Sequence, residues 1–264
     1  MPARRLMAVL AHPDDESLGI GGTLAKYASE GIDVFVLSAT RGDRGRYRDY
    51  RFGDPQHPGS SALAAIRERE LRAAASTLGV RDVAFLDYGD QEICRANPPE
   101  IIAAIVDHLR RVHPDVVITF GPDGAYGHPD HIAISQFTTA AVVAAADPAI
   151  AKLYYIAWPQ STWAAYQSAF KKLTSMVDGV ERQVVPWPDW AITTVIDTRR
   201  FSQTVWQAIA CHESQMSVYT QLEHLSPQHR EALLGVQSFY RVFSTVNGGR
   251  ARETDLFEGI RHDR

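Results

Sequence analysis

Two periodicities alternate along this chain. Short unbroken apolar runs at Leu6–Ala11, Val34–Ala39, Val83–Leu86, Val116–Phe120 and Leu153–Ala157 have the length of buried strands. Between them, Ser17–Glu30, Ala62–Leu78, Pro98–Val112 and Pro129–Ala146 carry apolar residues at helical spacing. Gly31 and Gly79 stop the first two of these helices. Strand–helix alternation predicts an α/β fold, a Rossmann-like three-layer sandwich around a mostly parallel sheet. If the strands lie in the order 3-2-1-4-5, strands 1 and 4 are neighbours and a crevice opens between their carboxyl ends. The rest is less regular. Ser161–Met176 and Arg199–His212 read as helices and Thr193–Ile196 as a strand, with no low-complexity linker before them. One domain over 1–264 is expected, with 1–157 as the core and 158–264 walling the cleft. Trp158, Trp187 and Trp190 read as core in preference to sugar-stacking platforms.

The polar residues cluster where two of the strands end. After strand 1 comes Ala11-His12-Pro13-Asp14-Asp15-Glu16, and after strand 4 comes Gly121-Pro122-Asp123-Gly124-Ala125-Tyr126-Gly127-His128-Pro129-Asp130-His131. Crowded carboxylates repel one another unless a cation sits among them, and His beside Asp suits a borderline metal such as zinc. An acidic helix N-terminus explains the first cluster equally well. The second tips the balance, because two His-Pro-Asp turns after two buried strands are more than capping requires. Gly19, Gly21 and Gly22 invite a dinucleotide reading, but the spacing lacks the third glycine of that fingerprint and acids fill the turn a pyrophosphate would need. Close helix–sheet packing is the preferred account of them.

With these residues in view, the chain resembles the PIG-L, or LmbE-like, superfamily of zinc-dependent N-deacetylases. His12-Pro13-Asp14-Asp15-Glu16 and Gly127-His128-Pro129-Asp130-His131 carry the resemblance, with an echo at His212-Glu213-Ser214-Gln215. The resemblance implies His12, Asp15 and His131 as metal ligands, with Zn2+ as the metal and another divalent ion such as Fe2+ as the alternative. It implies Asp14 as general base and His128 as the oxyanion-stabilising group, imidazolium or neutral. Asp130 would orient His128 and raise its pKa, or simply cap the helix. Tyr126 would add a phenolic donor. Arg67, in Arg67-Glu68-Arg69-Glu70, would reach substrate by the family's Arg-x-x-Glu pattern, against a plain charged outer face. Asp43, Asp90 and His212 match further substrate-side positions, although Asp90 is as readily a turn former.

Composition narrows the function. Net charge is −4 with charges mixed along the chain, which argues against nucleic acid, and no apolar run is long enough for a bilayer. The N-terminal apolar run is too short for a signal-peptide core, and Cys94 and Cys211 form no metal spacing, so a cytoplasmic protein with reduced thiols is expected. The polar segment Thr40–Ser61 holds Arg41, Arg44, Arg46, Arg48 and Arg51 and is either substrate-contacting or a solvated excursion. The expected activity is hydrolysis of the N-acyl amide, most simply N-acetyl, of an amino sugar or N-acetylglucosamine conjugate. The alternative is an amidase for a thiol conjugate or a glycosylated natural product. The partner is a small N-acylated amino sugar, and a homo-oligomer is compatible with the sequence.

Overall fold

Arg5–Leu10 forms β1, whose last five residues are buried, so both faces of the strand must be covered. The computed structural model describes residues 3–163, 165, 167, 174–177, 179–183, 185–247 and 251–261. From β1 the chain enters helix α1 (Asp15–Ser29), β2 (Asp33–Thr40), α2 (Ser60–Leu78), β3 (Asp82–Tyr88), α3 (Pro98–Val112) and β4 (Val116–Phe120). Helix α4 (Pro129–Ala145) and β5 (Lys152–Ile156) follow. The remainder contributes a hairpin of β6 (Thr174–Val177) and β7 (Val180–Gln183), then β8 (Thr194–Asp197). Three helices, α5 (Ser202–Ala210), α6 (Met216–Glu223) and α7 (Pro227–Leu234), lead to β9 (Val236–Ser244).

The main sheet has the order β3-β2-β1-β4-β5-β9-β8. The predicted 3-2-1-4-5 arrangement is therefore present, and all its neighbours pair in parallel. Strands β9 and β8 extend it antiparallel from β5, an extension the apolar pattern did not announce. In β9 only Gln237, Ser238 and Phe239 are fully buried, so it lacks the apolar run that marks β1 or β4. The helix expected over Ser161–Met176 is corrected at its end: Thr174–Val177 is a strand held by pairing with Val180–Gln183. Residues 164, 166 and 168–173 of that expectation lie outside the described residues. Among the described residues no helix is long and apolar enough to cross a membrane.

Two of the three α1 glycines are explained by packing, as expected. A Cβ on Gly22 would fall 2.5 Å from Thr198 Cβ, and one on Gly21 would sit 3.4 Å from Val205. Glu253, 1% exposed, ties the C-terminal segment to the sheet. It accepts from Lys152 Nζ at 2.7 Å, Tyr154 Oη at 2.7 Å, Thr194 Oγ1 at 2.8 Å and Asn247 Nδ2 at 2.7 Å, and pairs with Arg241 at 2.7 Å. Burial pushes this carboxyl up, but the hydrogen bonds from Lys152, Asn247, Tyr154 and Thr194 prevail and hold it at about 2. A carboxyl depressed in the folded state stabilises above its unfolded pKa, so this contribution is lost as pH falls from about 4.3 towards about 2. Glu253→Leu strands the fully buried Lys152 ammonium and is expected to lower unfolding stability by about 3–5 kcal/mol, read by urea denaturation. Wild-type stability in that variant would show the pair contributes nothing.

Candidate active site

The first cluster is placed by the end of β1. The chain turns through Ala11–Asp14 with Asp14 at φ 109°, a region L residues rarely occupy, and such strain collects at functional turns. Asp15 Oδ2 holds the turn by accepting the N–H groups of Ala11 and His12 at 3.2 and 2.7 Å. Glu16 Oε2 accepts from Asp14 N at 2.9 Å. The second cluster follows β4, which pairs directly with β1. Gly124, Ala125 and Gly127 all take positive φ there. His128 then caps α4, its Nδ1 accepting from Asp130 N at 3.2 Å.

Because β1 and β4 are neighbours, the clusters meet. His12 Nδ1 lies 3.2 Å from His131 Nε2 and 3.7 Å from Asp15 Oδ2, and His131 Nε2 lies 3.4 Å from Asp15 Oδ1. A tetrahedral zinc with donors at about 2.0–2.1 Å needs donor–donor separations of roughly 3.3 Å. The buried acids of this site call for positive charge among them. Burial, with Asp14 adding to it, pushes the Asp15 carboxyl up to about 7. Burial disfavours a charged His12, yet Asp90, Asp130 and Asp15 outweigh it and hold the ring well above the usual histidine range. Burial, then His128 and His12, hold His131 well below it, so that ring is neutral and able to ligate. Taking one atom per residue, the donors that lie within 4.8 Å of one another form the groups His12/His128/His131 and His12/Asp90/Asp130, while Asp15 meets His12 and His131 through different oxygens.

Asp90 and Asp130 grip the far side of His12. Asp90 Oδ1 is 3.3 Å and Asp130 Oδ2 3.2 Å from His12 Nε2. Asp130 Oδ2 also accepts from Gln91 N at 2.7 Å. Carboxylates on the outer nitrogen fix the tautomer and orientation of a ligating imidazole. This corrects the expectation for Asp130: its carboxylate is turned to His12 and Gln91, and it meets His128 only through its backbone N–H. Asp130 does raise the His128 pKa, as expected, with Asp90 adding to it, but burial and then the charge of His12 outweigh both and push the ring down to about 4.

Asp14 is buried with two donors on one oxygen. Arg67 Nη2 reaches its Oδ2 at 2.9 Å and Tyr219 Oη at 2.6 Å. Arg67 also donates to the carbonyls of Pro13 and Gly42, the latter at 3.0 Å. A Cβ on Gly42 or Gly45 would overlap its guanidinium. The expected substrate-reaching arginine is thus 4% exposed and engaged with Asp14, although it still borders the cavity. Tyr219 escaped the sequence reading. Its one available signal was helical spacing, one turn past Gln215.

His212, expected at the cleft, is fully buried behind it. Its Nε2 meets Glu16 Oε1 at 2.8 Å. The rest of that motif forms a clasp. Ser214 N and Oγ both donate to Glu70, each at 2.7 Å, and Gln215 Nε2 donates to Arg46 O at 2.6 Å. Arg48 N donates to Ser214 O at 2.6 Å. Asp43 also stands behind the site, accepting from Asp90 N at 2.9 Å. In the Arg-rich loop, Arg41 pairs with Glu68 and Asp87, and Arg44 with Glu92.

The cavity over these residues has a volume of about 260 Å³. Its floor holds His12, Asp14, Asp15, His128 and His131. Tyr126 lies beside the two histidines of the second cluster, at ring-centroid separations of 5.7 and 5.4 Å. Phe120 stacks on His131 at 4.0 Å.

A mostly parallel sheet whose strand order reverses between β1 and β4, with two His-Pro-Asp turns facing one cavity there, defines the LmbE-like class of α/β proteins. The chain belongs to the PIG-L family, described as GlcNAc-PI de-N-acetylase, whose profile matches residues 7–142. A relative from Rhodococcus jostii (strain RHA1) is 35% identical across 99% of this chain and 100% of its own length. It is named 1D-myo-inositol 2-acetamido-2-deoxy-alpha-D-glucopyranoside deacetylase. A protein of the same name from Acidothermus cellulolyticus is 35% identical over 97% of this chain and 95% of its own length. Among solved structures, the N,N'-diacetylchitobiose deacetylase of Pyrococcus horikoshii superposes with a TM-score of 0.63 at 20% identity, covering 91% of this chain and 84% of that one. The 4-carboxy-2-hydroxymuconate hydratase GalB of Pseudomonas putida KT2440 superposes at 0.67 and 20% identity, covering 94% and 100%. At that identity these two share the fold.

Proposed function

We propose that this chain hydrolyses the N-acetyl amide of an N-acetylglucosamine conjugate, releasing acetate and the free amine, with a divalent ion held by His12, Asp15 and His131. The carrying observation is the convergence of those three donor sets, at 3.2–3.7 Å, in the cavity that also holds Asp14. This set is preferred over His12/Asp90/Asp130 because those two carboxylates lie on His12 Nε2 while its Nδ1 faces His131 and Asp15, as fits Asp90 and Asp130 as outer partners of His12. Zinc suits two imidazoles and a carboxylate. The names of the curated relatives support an inositol glycoside of N-acetylglucosamine as substrate.

When bound, the ion supplies a Lewis acid for the amide carbonyl and lowers the pKa of a water to about 7. Asp14 is the base. Arg67 and Tyr219 occupy its Oδ2, which leaves Oδ1 to take the proton. His128 is neutral, and because its Nδ1 accepts from Asp130 N, its proton lies on Nε2. That N–H stabilises negative charge developing on the carbonyl oxygen. Tyr126 provides a further donor from the same turn.

The test is amine release from N-acetylglucosaminyl inositol, with and without chelator. Chelator-sensitive release with acetate in equal amount supports the reading. Absence of amine from every N-acetylglucosamine conjugate, by protein carrying a full equivalent of zinc, sinks it. A finer expectation concerns the Asp14 clamp. Tyr219→Phe removes a hydrogen bond to a charged oxygen and should lower kcat about tenfold or more at unchanged zinc content. Unaltered kcat would make the phenol a packing residue.

A further inference from the structure

Of the three glycines near the start of α1, Gly19 remains unexplained by packing. Glycine in a helix interior is unfavourable, and nothing closer than Ile156 Cδ1, at 3.5 Å, meets a Cβ built there. Gly21 and Gly22, in contrast, are pressed against Val205 and Thr198. Gly19 lies one helical turn beyond Asp15, on the same face of α1. It borders the large cavity and also a second, much smaller one of about 10 Å³. Gly19, Ile156 and Trp158 line both, so they are the partition between the two. Beyond the partition the walls are Ala157, Pro159, Ala232 and Val236 with the polar Thr162, Gln237 and Ser238.

The cavity lining is of mixed chemistry. Arg67, Asp90, Gln91, Gln215 and Tyr219 offer hydrogen-bonding groups. Gly19, Ile156 and Trp158, which stand together at the partition, offer an apolar surface with Leu18 next to them in the chain. An N-acyl amino sugar is divided in the same way at its amide. The sugar carries hydroxyls and the acyl chain carries none. We infer that the bare surface at Gly19, between α1 and the end of β5, is the acyl-chain site, and that it accepts propionyl and butyryl groups as well as acetyl. This rests on the amide-hydrolase reading above and extends it to the acyl group. The chain would run from the scissile carbonyl over Gly19 along Ile156 and Trp158, towards the smaller cavity.

The test uses one aminoglucosyl inositol carrying an acetyl, propionyl or butyryl group, with free amine as the readout. The wild type should hydrolyse the butyryl form with kcat/KM equal to or above that of the acetyl form, by up to about 15-fold, because each of its two further methylenes is worth about fourfold when buried. Gly19→Val fills the groove and should cut the butyryl-to-acetyl ratio of kcat/KM at least tenfold. Gly19→Ala, whose methyl would stand at ordinary contact distance from Ile156, should shift the ratio the same way by less, and serves if the valine variant fails to fold. A wild-type butyryl rate more than a hundredfold below acetyl would overturn the acyl assignment while leaving deacetylation intact. So would a ratio unmoved by both substitutions. Release from no acyl form, acetyl included, would overturn the hydrolase reading and this one with it.

Discussion

Asp15→Asn and His131→Ala should each lose the bound divalent ion and amide hydrolysis together. The asparagine is close in shape, and its carbonyl oxygen can still accept the N–H groups of Ala11 and His12 that shape the turn. What disappears is the negative charge that burial makes costly in the absence of a cation. His131→Ala removes the nitrogen 3.2 Å from His12 Nδ1 and leaves Phe120 without its stacked partner. Activity should fall more than about 100-fold in both, since even the outer partners of metal ligands are worth about 10–100-fold. Metal analysis of the purified proteins beside the rate assay is the check. A variant that keeps one equivalent of zinc takes its residue out of the ligand set. His12 would be a poorer probe, because its ring also contacts Asp90 and Asp130, so its removal frees two buried carboxylates at once.

Asp14→Asn should retain metal and lose about 10²–10⁴-fold in kcat, the usual worth of a general base. The surroundings decide which way the new amide points. Arg67 and Tyr219 both donate to one position, so the amide oxygen stays there and the NH2 group takes the place of the basic oxygen. An NH2 group in that position cannot accept a proton. KM should change little, since the loss falls on the transition state. Full-rate hydrolysis by the zinc-loaded variant would end the assignment of Asp14 as base.

Much of this arrangement was legible in the chain. The strands that build the floor are unbroken apolar runs, and parallel pairing follows from their alternation with helices. Once β1 and β4 were neighbours, His12 and His131 had to meet. What the sequence hid was direction. Asp130 sits two residues from His128 in the first turn of α4, yet its carboxylate serves His12 from the other cluster, a choice made by tertiary contact. Arg67 was expected to face substrate but is held by Asp14 and two carbonyls, because a buried guanidinium needs several acceptors. His212 carried the right motif and the wrong expectation, because its partner Glu16 lies 196 residues away. Strand β9 stayed invisible because Gln237, Ser238 and Arg241 break up its apolar residues, so it gives no apolar run.

The clasp at Ser214 and Gln215 has a bearing on protein engineering. Both His-Pro-Asp turns lie within the first half of the chain, which invites excision of that half as a minimal catalyst. Glu16, Glu70 and the backbone of Arg46 and Arg48 would then lose His212, Ser214 and Gln215, and Asp14 would lose Tyr219. A fragment or chimera that omits 212–219 would keep His12, Asp15 and His131 and forfeit the contacts that hold Glu16, Glu70 and Asp14 in place. Domain-swapping experiments between relatives should therefore place their junctions outside that stretch and move it together with α2 and the Arg-rich loop as one cassette.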